Sequence, residues 1–142
     1  MKKSVWRAIQ DQWSTIPPVA NADLTGQTVV VVGATTGIGF EAAKHFGRMG
    51  PTKPILACRN EEKGRAAASR IQEETGFERT EVRYIDLARF ASVRAFADTF
   101  ENESRLDILV MNAGIIALGA RKESVDGWEE VLQVKDLSTS LT

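Results

Sequence analysis

The sequence predicts an α/β fold built on a parallel sheet. Strand patterns and helix patterns alternate along the chain, and the first strand, "TVVVV", contains only β-branched residues. Such a strand is typical of a sheet that is buried on both faces. A glycine-rich loop joins this strand to the first helix. An alternation of this kind favours parallel strands connected by right-handed helical crossovers.

Residues typical of helix ends bound the first two predicted helices of the sheet region. Gly50-Pro51 ends the first helix, while Asn60 and Gly76 suit the N-cap and the C-terminal end of the second. The last helix is predicted to turn Trp128, Val131 and Leu132 inward. The elements, in order, are strands over Thr28–Val32, Lys53–Cys58, Glu81–Asp86 and Leu106–Met111, alternating with helices over residues 38–49, 61–75, 90–100 and 126–134.

The composition is typical of one globular domain. Of 142 residues, 43% are hydrophobic and 26% are charged, which is enough apolar material for one packed core. The formal net charge of −1 argues against nucleic acid or an anionic membrane as the main partner. Cys58 is the only cysteine, so a reducing compartment such as the cytoplasm fits best. We expect no metal site, no secretory leader and no transmembrane segment, because no motif for any of them is present.

Two regions are predicted, residues 1–23 and residues 24–142. The first contains a short amphipathic helix over residues 4–16, which Pro17-Pro18 ends before a linker. Its mixed polar face favours packing on its own domain over docking on a membrane surface or a partner. The residues on its apolar side are Val5, Trp6, Ile9, Trp13 and Ile16.

The loop "GATTGIG" after the first strand predicts a phosphate site. A helix N-terminus presents unpaired backbone N–H groups and a partial positive charge, so it attracts phosphate where the backbone allows close approach. Gly33, Gly37 and Gly39 remove side chains there, and Thr35 and Thr36 add hydroxyl groups. A structural turn without a ligand is the competing interpretation. The position between a buried strand and a helix favours the phosphate site.

The spacing of these glycines, G-x-x-x-G-x-G, resembles that of the short-chain dehydrogenase/reductase family. "YIDLA", "ILVMNAGI" and "DGWEEVLQV" match further family segments in the same order. Val32 and Met111 replace the usual Thr and Asn. Within the family the chain is most similar to the retinol dehydrogenase-like and related carbonyl reductase members.

The resemblance implies a doubly wound Rossmann sheet with strand order 3-2-1-4. It covers about residues 24–134, so residues 24–142 are expected to be a partial dinucleotide-binding domain without its C-terminal half. The glycine loop, the resemblance and the basic residues after the second strand together predict contacts with the cofactor at Gly33, Thr35, Thr36, Gly37, Ile38, Gly39, Arg59, Lys63, Asp86, Leu87, Asn112, Ala113 and Gly114. Asp86 and Asn112 also have local interpretations, as a helix N-cap and as a turn residue.

The residues after the second strand, "ACRN", predict NADP rather than NAD. A site for NAD usually has an acidic residue at this place to hold the ribose hydroxyl. In this sequence Cys58 and Arg59 occupy that place, and the guanidinium of an arginine pairs well with a 2′-phosphate. Lys63 adds a second positive charge. A surface arginine without a ligand is the alternative for Arg59.

The catalytic groups that the resemblance implies, a Ser and a Tyr-x-x-x-Lys pair, are not found in this sequence. Tyr84 is the only tyrosine, and Ala88 stands four residues later. Tyr84 is expected to lie in the core. Lys135 stands where the family has an Asn of its proton relay. His45 and Asp107 are expected to be structural, so no catalytic residue is predicted.

Three functions remain open. The chain is a shortened NADP-dependent enzyme that interconverts an alcohol and a carbonyl on a small lipophilic or secondary-metabolite-type substrate, a non-catalytic dinucleotide-binding module that pairs with a full-length relative, or an inactive fragment. In the order 3-2-1-4 the apolar fourth strand stands at a sheet edge. We therefore expect the isolated chain to aggregate or to need a partner surface.

Overall fold

The computed structural model describes residues 19–103, 105–117 and 119–141. The helix predicted over residues 4–16 lies outside these ranges. The described residues form one four-stranded parallel sheet in the order β3-β2-β1-β4, which confirms the predicted strand order. The strands are β1 (Thr28–Val32), β2 (Lys53–Cys58), β3 (Glu81–Tyr84) and β4 (Ile108–Met111).

The helices follow the strands as predicted, with shorter bounds at several ends. Asn60 caps the second helix by accepting a hydrogen bond from the Lys63 N–H at 2.9 Å, and Gly76 ends it in the left-handed conformation. The helical elements are α1 (Gly37–Arg48), α2 (Glu61–Thr75), α3 (Phe90–Asp98), α4 (Glu130–Leu132), a π-helix (Gln133–Leu137) and α5 (Ser138–Ser140). None of the helices in the described ranges is long and apolar enough to cross a bilayer.

The central strands carry the core. All five residues of β1 are buried, and the side chains of its four valines alternate between two apolar clusters, one on each face of the sheet. Helices α1 and α2 cover the face that contains Val29 and Val31. Helix α3 and the segment with Val134 cover the opposite face, which contains Val30 and Val32. Burial of β1 on both faces explains why its sequence is apolar without alternation.

Three predictions need correction. Tyr84 is 45% exposed and does not lie in the core, because it stands on β3 at an edge of the sheet. The last predicted helix begins at Glu130 instead of Asp126. In the predicted range 126–134, Trp128 and Leu132 are exposed, while Gln133 and Val134 are buried. The π-helical turn moves the inward side chains away from the 3.6-residue period on which the prediction was based.

Candidate functional site

A cleft of about 460 Å³ lies over the carboxyl ends of the four strands. Open parallel sheets bind ligands at this end, where the strand order reverses, and here the reversal falls between β1 and β4. Ten of the thirteen residues predicted to contact a cofactor line the cleft: Gly33, Thr35, Thr36, Arg59, Lys63, Asp86, Leu87, Asn112, Ala113 and Gly114. The other three, Gly37, Ile38 and Gly39, are in the first turn of α1 and do not line it.

The glycine loop packs directly against the loop that follows β4. Gly33 has a φ of +82°, and a Cβ atom there would lie 2.8 Å from the Ala113 Cα. Gly39 is buried, and a Cβ there would collide with the Gly33 carbonyl oxygen and the Asn112 amide. These two glycines are therefore required by the contact between the two loops. The sequence alone predicts for both glycines only a role in the approach of a phosphate.

Asn112 ties the two loops together. Its side-chain amide donates a hydrogen bond to the Gly33 carbonyl oxygen at 3.1 Å. The backbone N–H groups of Asn112 and Ala113 both donate to the Val32 carbonyl oxygen, at 3.1 and 2.9 Å. Asn112 therefore shapes the cleft by joining the ends of β1 and β4, which is a longer-range role than the local turn considered from the sequence.

The N-terminus of α1 opens beside the cleft. Thr36 is its N-cap residue in extended conformation, and its side chain makes no capping hydrogen bond. The N–H groups of the first turn are therefore not satisfied by the cap and can donate to an anion. Ile38 is 82% exposed and lies in this first turn, where its backbone N–H is one of the available donors. The expected contacts of Gly37, Ile38 and Gly39 remain predictions.

The end of β2 contributes positive charge and no carboxylate. Arg59 and Lys63 line the cleft with exposed side chains. Cys58 is buried in the wall behind them, and its thiol donates to the Asn60 carbonyl oxygen at 3.2 Å. Burial raises the pKa of this thiol. The wall at this point is therefore neutral sulfur, with two cations in front of it.

The loop after β3 supplies the opposite wall. The Asp86 carboxylate accepts a hydrogen bond from the Ala88 N–H at 3.0 Å. The Asp86 N–H donates to the Ser92 hydroxyl at 2.9 Å. Asp86 is not the N-cap of α3, because Arg89 holds that position. Leu87 is buried and presents an apolar surface to the cleft.

Part of the lining of the cleft is not predicted from the sequence. Glu130 and Val134 reach the cleft from the C-terminal helical segment, and Ile85, Ala88 and Ile115 complete its apolar surface. The predicted regular helix over residues 126–134 turned other side chains inward, so it did not place Glu130 and Val134 at the cleft. One local signal for the observed helix start was present in "WEEV", since Glu129 is the N-cap of α4 and accepts hydrogen bonds from the Val131 and Leu132 N–H groups.

Asp107, Lys135 and His45 lie outside the lining of the cleft. Asp107 accepts a hydrogen bond from the Thr28 N–H at 2.8 Å, at the opposite end of the sheet, as its structural interpretation predicts. The Lys135 Cε lies 3.8 Å from the position of a Cβ on Gly114, so Lys135 stands beside the β4 end of the cleft. His45 is half-buried in the last turn of α1. Neither Lys135 nor His45 has a hydrogen-bond partner that would mark it as a proton-transfer group in the described residues.

Comparison with known proteins gives consistent matches. A family model for the short chain dehydrogenases matches residues 27–141. Human dehydrogenase/reductase SDR family member 13 is 44% identical to this chain over 110 residues, and bovine retinol dehydrogenase 12 is 42% identical over 118 residues. A short-chain dehydrogenase from Sphingobium yanoikuyae, solved in complex with NADPH, matches with a TM-score of 0.68 at 28% identity.

These matches cover most of this chain but only part of each relative. They include 76%, 82% and 81% of the present sequence, in the order given. The corresponding shares of the three relatives are 29%, 37% and 44%. The chain therefore spans less than half the length of each of these three relatives.

Proposed function

The chain belongs to the short-chain dehydrogenase family, and on this premise we propose that its cleft binds NADP(H). The observation that carries the proposal is the pairing of two features in one cleft. An uncapped helix N-terminus lies beside β1, and two cations lie at the end of β2. The first suits the pyrophosphate of a dinucleotide, and the second suits a 2′-phosphate.

The residues of the cleft fit such a cofactor. Thr35, Thr36 and the first N–H groups of α1 would hold the pyrophosphate, and Arg59 with Lys63 would hold the 2′-phosphate. Asp86 and Leu87 would contact the adenine, while Asn112, Ala113 and Gly114 would support the ribose and nicotinamide half. When bound, the cofactor supplies or accepts a hydride, and the protein orients it.

We further propose that the family reaction, the interconversion of an alcohol and a carbonyl on a small lipophilic substrate, requires residues beyond the 142 present. The only tyrosine, Tyr84, lies at the outer edge of β3, away from the cleft lining. Lys135 stands where the resemblance implies an Asn. By itself the chain is therefore a dinucleotide-binding unit without turnover. Its single, buried thiol supports a reducing compartment such as the cytoplasm.

Arg59→Gln tests the proposed cofactor preference. We expect the variant to weaken NADPH binding about tenfold or more, because a charge-assisted hydrogen bond to the 2′-phosphate is lost. Binding of NADH should stay unchanged. Isothermal titration calorimetry with each nucleotide measures both values. Arg65→Gln is the matched control, since Arg65 is exposed on α2, pairs with Glu61 and does not line the cleft.

Three outcomes would contradict parts of this proposal. Equal affinity of the unmodified chain for NADPH and NADH would refute the preference for NADP, and the absence of binding to either would refute the dinucleotide site itself. Consumption of NADPH with simple ketones by the 142-residue chain would refute the statement that it binds without turnover.

A further inference from the structure

Two hydrogen bonds from one distant segment hold the loop after β3. This loop, Asp86–Ala88, forms one wall of the cleft. The Ser138 hydroxyl donates to the Leu87 carbonyl oxygen at 2.6 Å, across 51 residues of sequence, and the bond is buried. The Phe90 N–H, at the start of α3, donates to the Asp126 carboxylate at 2.7 Å. The C-terminal segment therefore binds the middle of the loop, at Leu87, and the first residue of the helix that follows it, at Phe90.

Gln133 fixes the second of these contacts. Its side-chain amide donates to the same Asp126 oxygen at 2.6 Å, and its carbonyl oxygen accepts from the Ser124 hydroxyl. Gln133 is fully buried, and a buried amide is tolerated only where its polar atoms are satisfied. The Phe90 N–H and the Gln133 amide both lower the pKa of Asp126, so its carboxylate is ionised at neutral pH.

The π-helix brings Gln133 and Ser138 to the same side. In a regular α-helix two residues five positions apart differ by about 140° in direction. Here the Ser138 N–H donates to the Gln133 carbonyl oxygen, which is the i to i+5 bond of a π-turn. Both side chains are consequently buried. Ser138 reaches the loop Asp86–Ala88, and Gln133 reaches the Asp126 carboxylate that accepts the Phe90 N–H. Departures of this kind from regular helix geometry are frequent at functional sites.

We propose that Ser138 and Gln133 are positioning residues that hold the loop Asp86–Ala88 in place for the adenosine half of the dinucleotide. This inference rests on the proposed binding of NADP(H). Neither residue lines the cleft, so each acts through the loop. Ser138 holds the carbonyl of Leu87, and Gln133 holds the carboxylate that receives the Phe90 N–H.

Two serines in the same short helix provide a matched test. Ser140 donates to the Asp136 carbonyl oxygen within its own helical segment and is exposed. We expect Ser138→Ala to raise the Kd for NADPH and for 2′,5′-ADP about tenfold, because the wall is no longer held. Ser140→Ala should change neither value. Inorganic pyrophosphate, which needs only the N-terminus of α1, should bind equally to both variants and to the unmodified chain.

Calorimetry at a temperature where circular dichroism shows each variant folded separates positioning from a loss of stability. Hydrogen exchange gives a second reading, since the Phe90 amide should exchange faster in Gln133→Leu than in the unmodified chain. If Ser138→Ala does not fold, Ser124→Ala is the second variant, because it removes the hydroxyl that donates to Gln133 and accepts from the Asp126 and Trp128 N–H groups, and leaves Gln133 itself in place. It should raise both Kd values in the same direction.

The outcomes distinguish this inference from the proposed function. An unmodified chain that binds neither NADPH nor 2′,5′-ADP overturns both. A chain that binds both ligands, with a folded Ser138→Ala variant of unchanged affinity, overturns the positioning role alone. A loss of pyrophosphate binding equal to that of 2′,5′-ADP also overturns it, because the effect would then be general to the fold.

Discussion

Strands β3 and β4 both stand at an edge of the described sheet, but their side chains differ in charge and in their partners. On β3, Arg83 donates to Glu81 at 2.9 Å and to Glu103 at 2.8 Å, and its guanidinium lies 4.6 Å from the Phe100 ring. On β4 the sequence is "ILVM", without a charge, and all four residues are only partly buried. Charged side chains on an edge discourage pairing with another strand, whereas an apolar edge invites it.

Arg83 and Leu109 make this comparison direct. Arg83 packs on Phe100, and Leu109 packs against the same apolar cluster, so both project from the same face of the sheet at opposite edges. The difference shows that β3 is built to end the sheet. The β4 edge is built like an interior strand, with apolar residues that a neighbour would cover.

The largest expected effect comes from placing a charge on β4. We expect the unmodified chain to associate as its concentration rises, and Leu109→Lys to raise the monomeric fraction several-fold. The lysine stem lies along the apolar face while its ammonium reaches solvent at the edge. Sedimentation velocity over a concentration series measures this fraction.

Ala66→Lys is the control for this change. Ala66 is exposed on α2, far along the sequence from β4, and both substitutions bring the formal net charge from −1 to 0. If Ala66→Lys raises the monomeric fraction as much as Leu109→Lys does, the effect is one of net charge and not of the edge. An unmodified chain that remains monomeric throughout the series would contradict the prediction.

The reciprocal change at β3 should have a smaller effect. Arg83→Leu removes the cation and leaves an apolar side chain on Phe100, so we expect weak association and a lower melting temperature. The association should be weaker than that of β4, because Glu81 and Glu103 still place charge at this edge. Arg83→Lys keeps the positive charge but loses the planar guanidinium group with its paired donors. It should lower the melting temperature without causing association. Association of both variants to the same degree would contradict this account.

Most elements followed from local signals in the sequence, and the strand order followed from the family resemblance. The "TVVVV" strand, the Asn60 cap and the Gly76 stop each have a local physical cause, and each is in the structure where it was expected. In the structure, ten of the thirteen predicted site residues line one cleft. That these residues contact a cofactor remains a prediction.

The errors arose where tertiary contacts decide the conformation. Tyr84 resembles a core residue in sequence, but its exposure depends on β3 being an edge strand, which no local pattern reveals. Gln133 and Val134 turn inward because hydrogen bonds to Asp126 and packing on the sheet select a π-turn. The hydrophobic period of Trp128, Val131 and Leu132 indicated a regular helix with a different inner face. Propensity is a weak guide where such contacts compete with it.

The smallest expected effect is on the stability of the fold in acid, and it again compares the β3 edge with the β4 edge. Lys53 and Arg83 hold the pKa of Glu103 below its usual value of 4.5, and the Arg105 side chain, together with the Thr28 N–H, holds that of Asp107 below 3.8. A carboxylate with a lowered pKa in the folded state stabilises the fold above its unfolded pKa, and this stability is lost as pH falls through the folded pKa. Glu103→Gln should therefore flatten the fall of the melting temperature below about pH 4.5, and Asp107→Asn only below about pH 3.8. Thermal melts of the three proteins over this range check the order, and an unchanged slope in Glu103→Gln would show that the contacts of Glu103 with Lys53 and Arg83 add no acid-sensitive stability.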